Sequence, residues 1–326
     1  MKRVKELPPV GPNVNQEFRS RLRTLQLEIA SLCDSRRREN RNTVDLVAWG
    51  YDYPSSNLSQ RLPVLLMEKA LTSLSNAIAG GDERWQDLTI RHHLCLGVAA
   101  GLKGIHDSGL AHGDIKPDNV LVFHQNHPSV PFVAKLSDFG QCIDLEHLNE
   151  DSGFYLGTEG WLPPEVQSNG HHCRLSRTQL LKVESYAFGL LVMSVFLHSG
   201  KTVPYQQYSA PCNLLGSPCA KAESSCLPES IAKVVDAASR GFLNFDPTHR
   251  LDVKPEILDC NTENFQIWSA HLTDESYRFE PSNSFNAGYR PGRKHHFRAL
   301  VLERKPRIYS LDMHTIFVST LPVSYS

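Results

Sequence analysis

The sequence lacks the features that mark several specialised classes of protein. Lys and Arg number 34 against 35 Asp and Glu, so the net charge is −1, which argues against a dedicated nucleic-acid-binding protein. The eight cysteines contain no C-x-x-C pair, so neither a zinc ribbon nor a disulfide scaffold is indicated. The N-terminus has no apolar signal-peptide core, and the longest apolar run, residues 187–197, is too short to span a bilayer. We therefore expect a cytoplasmic protein with no nucleic-acid partner and no membrane span.

Apolar periodicity predicts an α+β protein. Hydrophobic residues make up 40% of the chain and charged residues 21%, which is enough apolar material for a sizeable core. Apolar residues at helical spacing indicate helices, and short apolar runs indicate strands. The helices are expected near residues 18–32, 90–105, 183–197 and 231–243, and the strands near residues 43–49, 62–67, 120–123 and 132–136. The last two strands suggest a hairpin.

Three polar residues flank this hairpin in a pattern suited to phosphoryl transfer. Asp114 and Asn119 precede its first strand, and Asp138 follows its second strand. Phosphoryl transfer uses one carboxylate to orient the attacking hydroxyl and take its proton, while an amide and a second carboxylate hold magnesium on the phosphates. Lys116, two residues past Asp114, supplies a cation where charge builds on the transferring phosphoryl group.

The same residues lie in motifs that resemble those of the eukaryotic protein kinases. His112-x-Asp114-x-x-x-x-Asn119 resembles the catalytic loop, and Asp138-Phe139-Gly140 matches the magnesium-binding motif. Three later segments resemble kinase motifs in the expected order: Gly157-Thr158 with Pro163-Pro164-Glu165, Glu184-Ser185-Tyr186-Ala187-Phe188-Gly189, and Asp246-Pro247-x-x-Arg250. A single motif of this kind is common, whereas five in order across residues 112–250 identify a member of the family.

The resemblance implies a protein-kinase-like two-lobed α+β fold with a mainly helical C-lobe. It also implies an enzyme that uses ATP and Mg²⁺ to phosphorylate a protein substrate. Asp114 would be the base, Lys116 the charge-stabilising residue, and Asn119 and Asp138 the metal ligands. Lys116-Pro117, after the catalytic Asp, is the pattern of serine/threonine rather than tyrosine kinases.

Weaker resemblances indicate further nucleotide-binding residues. Lys2 and Glu28 stand where the family keeps its phosphate-binding Lys and the acidic partner of that Lys. The alternative is that Lys2 belongs to an unstructured terminus and that Glu28 is an ordinary exposed helix residue. Residues 65–68 resemble the strand that enters the hinge, so backbone groups of Glu68 and Ala70 would hydrogen-bond adenine. Leu121 matches the residue that packs beneath the adenine ring.

The glycine-rich loop that kinases fold over the phosphates is missing from the sequence. Gly11 is the one glycine before Gly50, so no G-x-G-x-x-G occurs there. We therefore expect an incomplete N-lobe that lacks this loop and the first strands, in an N-terminally truncated chain. The expected domains are a partial N-lobe and hinge at 1–70, a C-lobe at 71–257, and a poorly defined C-terminal tail at 258–326. The alternative function is a pseudokinase or kinase-like scaffold without efficient ATP binding.

One further expectation is structural, and two residues depart from the family's pattern. The resemblance implies that Glu165 and Arg250 form a buried ion pair. Gly113 stands where the family has an Arg before the catalytic Asp, and Glu184 stands where the family has an Asp at the start of its central helix.

Overall fold

The computed structural model of the protein describes residues 2–3, 14–34, 40–52, 62–148, 153–169, 174–203, 227–259, 266, 298–301, 307–312 and 315–319. Contacts between residues divide the chain into two compact units. Unit 1 comprises Met1–Asp34, Val44–Lys69 and Phe279–Ser326, and unit 2 comprises Ser35–Thr43 and Ala70–Arg278. The mixture of helices and strands confirms the predicted α+β class.

The helices and strands of the described residues are distributed over both units, and most of the strands are short. In chain order they are β1 (Lys2–Arg3), α1 (Val14–Cys33), β2 (Leu46–Asp52), β3 (Leu62–Met67), β4 (Thr72–Ser73), α2 (Leu74–Ala79), α3 (Leu88–Asp107), β5 (Leu110–Ala111), β6 (Val120–His124), β7 (Phe132–Leu136), β8 (Ile143–Asp144), α4 (Pro164–Asn169), α5 (Arg177–Leu197), α6 (Glu229–Phe242), β9 (Arg298–Val301), β10 (Arg307–Asp312) and β11 (Thr315–Ser319).

In the residues that the structure describes, unit 1 is an antiparallel sheet with one helix. The strand order is β1–β3–β2–β9–β10–β11, with Lys2 opposite Leu65 at the β1–β3 pair. Helix α1 confirms the helix predicted at 18–32, and it buries Leu25, Glu28 and Leu32 on one face, as helical spacing requires. Strands β9, β10 and β11 come from the tail, where the sequence pattern predicted no element.

The β6–β7 hairpin and helix α3 form the centre of unit 2. The hairpin pairs Val120 with Leu136 and His124 with Phe132, as predicted, and α3 packs against β7. Helix α3 begins where the Asp87 carboxylate accepts hydrogen bonds from the Thr89 and Ile90 amides, which are otherwise unpaired at a helix start. The hairpin and α3 thus hold both ends of the segment that carries Asp114.

A row of glycines on α3 receives a segment from earlier in the chain. A Cβ on Gly97 or Gly101 would lie 2.9 or 2.7 Å from atoms of Asn42, and a Cβ on Gly104 would lie 2.4 Å from Asn40. Asn42 also donates from its side chain to Ala134 O at 2.9 Å, and its own carbonyl accepts from the Leu136 amide at 2.7 Å. Because glycine has no side chain, this face of α3 leaves room for residues 40–42 between α3 and β7.

Helix α5 is the core helix of unit 2. It begins with a capping box in which Ser176 and Gln179 exchange side-chain-to-backbone hydrogen bonds. It is long and apolar enough to cross a membrane, but 83% of its most apolar stretch is buried inside the protein, as in a core helix. It extends six residues before the predicted start at 183, because the capping box lies at Ser176.

The Glu165–Arg250 ion pair implied by the resemblance is present. The Arg250 side chain is 0% exposed, whereas the Glu165 side chain is 25% exposed, so the pair is buried on the arginine side only. Arg250 also donates to the carbonyls of Asn244 and Lys182, at 2.7 and 3.1 Å. One guanidinium therefore joins α4, α5 and the segment after α6.

Candidate active site

The predicted catalytic loop lies between two short strands of unit 2. Residues 112–119 leave β5, which pairs with β8, and enter β6, which pairs with β7. A single turn of 3₁₀-helix, Pro117–Asn119, closes the loop, with proline at its first position where no backbone donor is needed. The loop is thus fixed at both ends by sheet pairing.

Asp114 is the centre of a compact hydrogen-bond network. Its side chain is 8% exposed, and its Oδ2 accepts from Lys116 Nζ at 2.7 Å. The Thr158 hydroxyl donates to Asp114 Oδ1 at 2.7 Å and accepts from Lys116 Nζ at 2.6 Å. The structure therefore brings Asp114 and Lys116 together, and it adds Thr158 from 44 residues further along the chain.

Asn119 is oriented by Asp114. Its Nδ2 donates to Asp114 O at 2.8 Å and to Asp114 Oδ2 at 2.9 Å. Because the amide nitrogen is engaged twice with acceptors, the side-chain orientation is settled by its bonds, and Oδ1 is the atom that can ligate a cation.

Ser137 connects Asn119 to the predicted magnesium-binding motif. The Ser137 amide and hydroxyl both donate to Asn119 O at 2.9 Å. The next residue, Asp138, is half-buried and left-handed, with φ 64° and ψ 66°, a conformation that Asp tolerates better than most residues. These two hydrogen bonds from Ser137 therefore connect the two predicted metal-ligand positions through the backbone.

His112 links the two motifs from inside the core. Its side chain is fully buried, its Nε2 donates to Ser137 O at 2.9 Å, and its ring lies 4.9 Å from the Phe139 ring. Burial lowers the pKa of His112, although the nearby charge of Glu184 opposes the change. A neutral His112 thus serves as a structural donor between the catalytic loop and Asp138-Phe139-Gly140.

Glu184 holds the backbone just before Asp114. Its carboxylate is 0% exposed, and Oε1 accepts from the Gly113 amide at 2.6 Å while Oε2 contacts His106 Nε2 at 2.7 Å. Burial alone would raise the pKa of Glu184, but the hydrogen bond and charge of His106 outweigh it and lower the pKa below its ordinary value. The buried carboxylate is therefore ionised and fixes the loop from behind.

The backbone conformation at position 113 explains why this chain has glycine where the family has an Arg. Its φ is +87°, and a Cβ there would lie 2.0 Å from the Gln141 carbonyl oxygen. Any side chain would require both a left-handed backbone and movement of residue 141.

Two members of this network were not assigned roles from the sequence. Thr158 lies in Gly157-Thr158, a motif that resembles the end of the activation segment, but a lone hydroxyl gives no pattern of its own. Glu184 is recognisable only as a substitution of the family's Asp, and its partners lie 71 and 78 residues away.

A second feature beside the loop is a cavity of about 420 Å³. Asp118, Ser75, Trp161 and Lys201 are among the residues that line it. Asp118 Oδ1 accepts from the Ser75 hydroxyl at 2.7 Å, so the cavity wall is continuous with the catalytic loop.

The remaining predicted residues are divided between the units. Ala70 and Leu121 belong to unit 2, where half-buried Leu121 lies opposite Lys135 in the hairpin. Lys2, Glu28 and Glu68 belong to unit 1. Glu28 is 1% exposed, so it is not the ordinary exposed residue of the alternative interpretation. Glu68 accepts from the Asp45 amide through Oε1 at 2.9 Å.

The donor set of the loop fits a hard divalent cation. Asn119 contributes an amide oxygen and Asp138 a carboxylate, and oxygen atoms of these kinds are the ligands that Mg²⁺ prefers. Neither a thiol nor an imidazole belongs to the set, since His112 is buried with its Nε2 bound to Ser137 O. The residues therefore suit magnesium better than zinc or copper.

Comparisons with known proteins agree with this arrangement. A family model described as the protein kinase domain matches residues 35–257, which is more than half of the chain. A cysteine-rich receptor-like protein kinase of Arabidopsis thaliana is 32% identical over 134 residues, covering 40% of this chain and 17% of that protein. An LRR receptor-like serine/threonine-protein kinase of the same plant is 33% identical over 129 residues, covering 38% and 12%. The serine/threonine-protein kinase STE20 of Saccharomyces cerevisiae is 30% identical over 102 residues, covering 31% and 10%. The chain thus matches less than a fifth of the length of each of these relatives.

Proposed function

Because the chain belongs to the protein kinase domain family, we propose that it transfers the γ-phosphate of ATP to serine or threonine hydroxyls of a protein substrate. The observation that supports this best is the network around Asp114. Lys116 and Thr158 contact its two carboxylate oxygens within 2.7 Å, and Asn119 is fixed beside it.

Asp114 is the general base in this proposal. Its Oδ1 accepts from the aliphatic hydroxyl of Thr158, and a substrate serine or threonine presents the same kind of donor. Asp114 would orient that hydroxyl and take its proton, while Lys116 would stabilise the negative charge that develops nearby.

Asn119 and Asp138 are the proposed ligands of Mg²⁺. When bound, ATP supplies the phosphoryl group and Mg²⁺ neutralises charge on its oxygens. Lys2 with Glu28, the backbone of Glu68 and Ala70, and the side chain of Leu121 remain the predicted contacts to the nucleotide.

The preference for serine and threonine rests on two observations. Lys116-Pro117 is the pattern that the sequence shares with serine/threonine kinases, and two of the relatives described above are named as such kinases.

The cavity beside Asp118 is the proposed binding site of the substrate polypeptide. The cytoplasm remains the predicted location of the protein.

Phosphate transfer from γ-labelled ATP to a general protein substrate such as casein tests the proposal. We expect labelled phosphoserine or phosphothreonine, and Asp114→Asn should lower the rate at least about 100-fold because it removes the base. The matched control is Asp236→Asn, since Asp236 pairs only with exposed Arg240 among the described contacts and lies on α6. Labelled phosphotyrosine would contradict the specificity.

Nucleotide binding separates the enzyme from the scaffold. Asp114→Asn should keep the affinity for ATP, whereas Asp138→Asn should weaken the magnesium dependence of ATP binding, because Mg²⁺ loses a charged ligand. A folded wild-type chain that neither binds ATP nor transfers phosphate would favour the pseudokinase or scaffold interpretation.

A further inference from the structure

A second cavity of unit 2, of about 490 Å³, lies between the last turn of α3 and the start of α5. Residues 252–254 form its third wall. None of the residues that line this cavity lines the one beside Asp118. Cavities of about 300–1,000 Å³ are of the size that holds small organic ligands.

The lining of this cavity carries an excess of positive charge. The lining holds Lys103, Arg177 and Lys254 against two carboxylates. Asp107 pairs with Lys103, and Asp252 accepts at 2.7 Å from Lys182, which is not itself part of the lining. Of these cations, Arg177 and Lys254 form no ion pair within the described part of the chain. Both side chains are exposed and can therefore reorient towards a ligand without breaking a contact of their own.

The same cavity reaches the catalytic loop through His106. The His106 side chain lines the cavity and is 11% exposed, and its Nε2 contacts Glu184 Oε2 at 2.7 Å. The other oxygen of Glu184 accepts from the Gly113 amide at 2.6 Å, and Gly113 directly precedes Asp114. Two hydrogen bonds thus connect the wall of the cavity to the residue directly before the proposed base.

We propose that this cavity binds a small phosphate-bearing molecule that regulates the catalytic loop, an inference that rests on the proposed kinase function for its regulatory part. Arg177 offers a planar fork of donors and Lys254 a point charge, which together suit a phosphate. Leu181 and Val253 give the organic part of the ligand an apolar wall.

The bound phosphate acts on His106 by its charge. Lys103, Asp107, Arg177, Asp252 and Lys254 line the same cavity as His106, and Glu184 contacts His106 from α5. A phosphate among them adds negative charge beside the hydrogen bond between His106 and Glu184. A change at this hydrogen bond reaches the catalytic loop, because the other oxygen of Glu184 accepts from the Gly113 amide.

Solution NMR of the full chain at constant ionic strength tests binding without an activity assay. The probes are inorganic phosphate and glycerol 3-phosphate, with glycerol as the uncharged control. We expect saturable shifts of the His106 ring and Gly113 amide signals with both phosphates and none with glycerol. Equal shifts with glycerol, or no saturation with either phosphate, would overturn the site.

Matched double variants identify the ligands. Arg177→Ala with Lys254→Ala should weaken binding of glycerol 3-phosphate at least tenfold and leave basal phosphate transfer unchanged. Lys233→Ala with Arg240→Ala removes the same charge from exposed positions on α6 and should keep the wild-type affinity. Equal affinities of the two double variants would refute the assignment.

His106→Gln tests whether ligand binding in the cavity is transmitted through His106 to the catalytic loop. This variant should still bind glycerol 3-phosphate, but the Gly113 amide should no longer shift on binding. In the wild type, saturating glycerol 3-phosphate should raise kcat about twofold or more with KM for ATP unchanged. Saturable binding without phosphate transfer in any condition would contradict the kinase proposal alone, whereas transfer without binding would contradict the site alone.

Discussion

Arg250 donates two parallel hydrogen bonds to Glu165, from Nη1 to Oε1 at 2.6 Å and from Nη2 to Oε2 at 2.8 Å. The guanidinium also lies 4.7 Å from the centre of the Tyr186 ring. The pair therefore fixes the start of α4 to the core helix α5, and its removal should affect unit 2 as a whole.

Arg250→Ala should lower the free energy of unfolding by roughly 3 kcal/mol, because three backbone carbonyls and one carboxylate lose a buried donor. Arg240→Ala, which breaks an exposed pair one turn apart on α6, should cost about 0.5 kcal/mol or less. Urea unfolding of both variants measures the difference. Similar midpoints for the two would disprove the structural role of Arg250.

Gly113→Ala should be more costly than the same change at Gly81. Both glycines have positive φ, at +87° and +68°, but a Cβ at Gly81 has nothing within 4 Å, whereas at Gly113 it meets Gln141 O at 2.0 Å. Gly81→Ala should therefore cost about 1–2 kcal/mol of stability from backbone strain alone. Gly113→Ala should cost more and should also lower kcat, as measured by thermal unfolding and phosphate transfer. Equal losses of stability would show that residue 141 moves freely.

Thr158→Val should lower kcat about tenfold or more, because it removes the hydroxyl that joins Asp114 to Lys116. Thr158→Ser keeps that hydroxyl and should retain most of the turnover. Steady-state kinetics at saturating ATP compare the two variants. Wild-type turnover in the valine variant would mean that the network around Asp114 does not depend on residue 158.

Stability should fall as the pH is lowered from about 6.5 towards 4. Burial lowers the pKa of His92 from 6.5 to about 4, and its Nε2 donates to Leu258 O at 3.0 Å. In that range the unfolded chain takes up a proton at residue 92 and the folded chain does not, so the contribution of His92 is complete above pH 6.5 and is lost below it. The loss is at most roughly 3 kcal/mol.

His92→Gln is the variant that checks this dependence, since glutamine can still donate to Leu258 O. Urea unfolding at several pH values should give a smaller decrease in stability for the variant than for the wild type between pH 6.5 and 4. His112, whose pKa is also lowered by burial, keeps a residual slope in both proteins. Identical slopes would mean that residue 92 does not titrate differently on folding.

The sequence predicts local parts of the molecule better than its long-range contacts. Asp114, Asn119 and Asp138 could be grouped because a hairpin brings the ends of neighbouring strands together, which depends on spacing alone. The contact of Thr158 with Asp114 spans 44 residues and depends on the path of the segment between them. The anchoring of Gly113 by Glu184 spans 71 residues and is of the same kind.

The extension of the sheet in unit 1 was not predictable for a different reason. Residues 290–307 carry seven Lys and Arg against one Glu, and the apolar residues of β9 form a run of only three within this basic stretch, which is too short to predict a strand. In contrast, Glu28 lies on the same face of α1 as the buried residues Leu25 and Leu32, so helical spacing predicts its burial. Only the polar character of Glu28 suggested that it is exposed.

The glycine row on α3 makes the folding of that helix depend on distant chain. Each glycine disfavours an isolated helix by about 1 kcal/mol relative to alanine, so Gly97, Gly101 and Gly104 together make α3 a poor autonomous helix. Its stabilising partner, Asn40, which donates to Gly101 O, lies 61 residues earlier. Docking of residues 40–42 therefore contributes to the stability of α3, together with the packing of the helix against β7. The catalytic loop that follows α3 therefore depends for its position on residues 40–42, which lie far earlier in the chain.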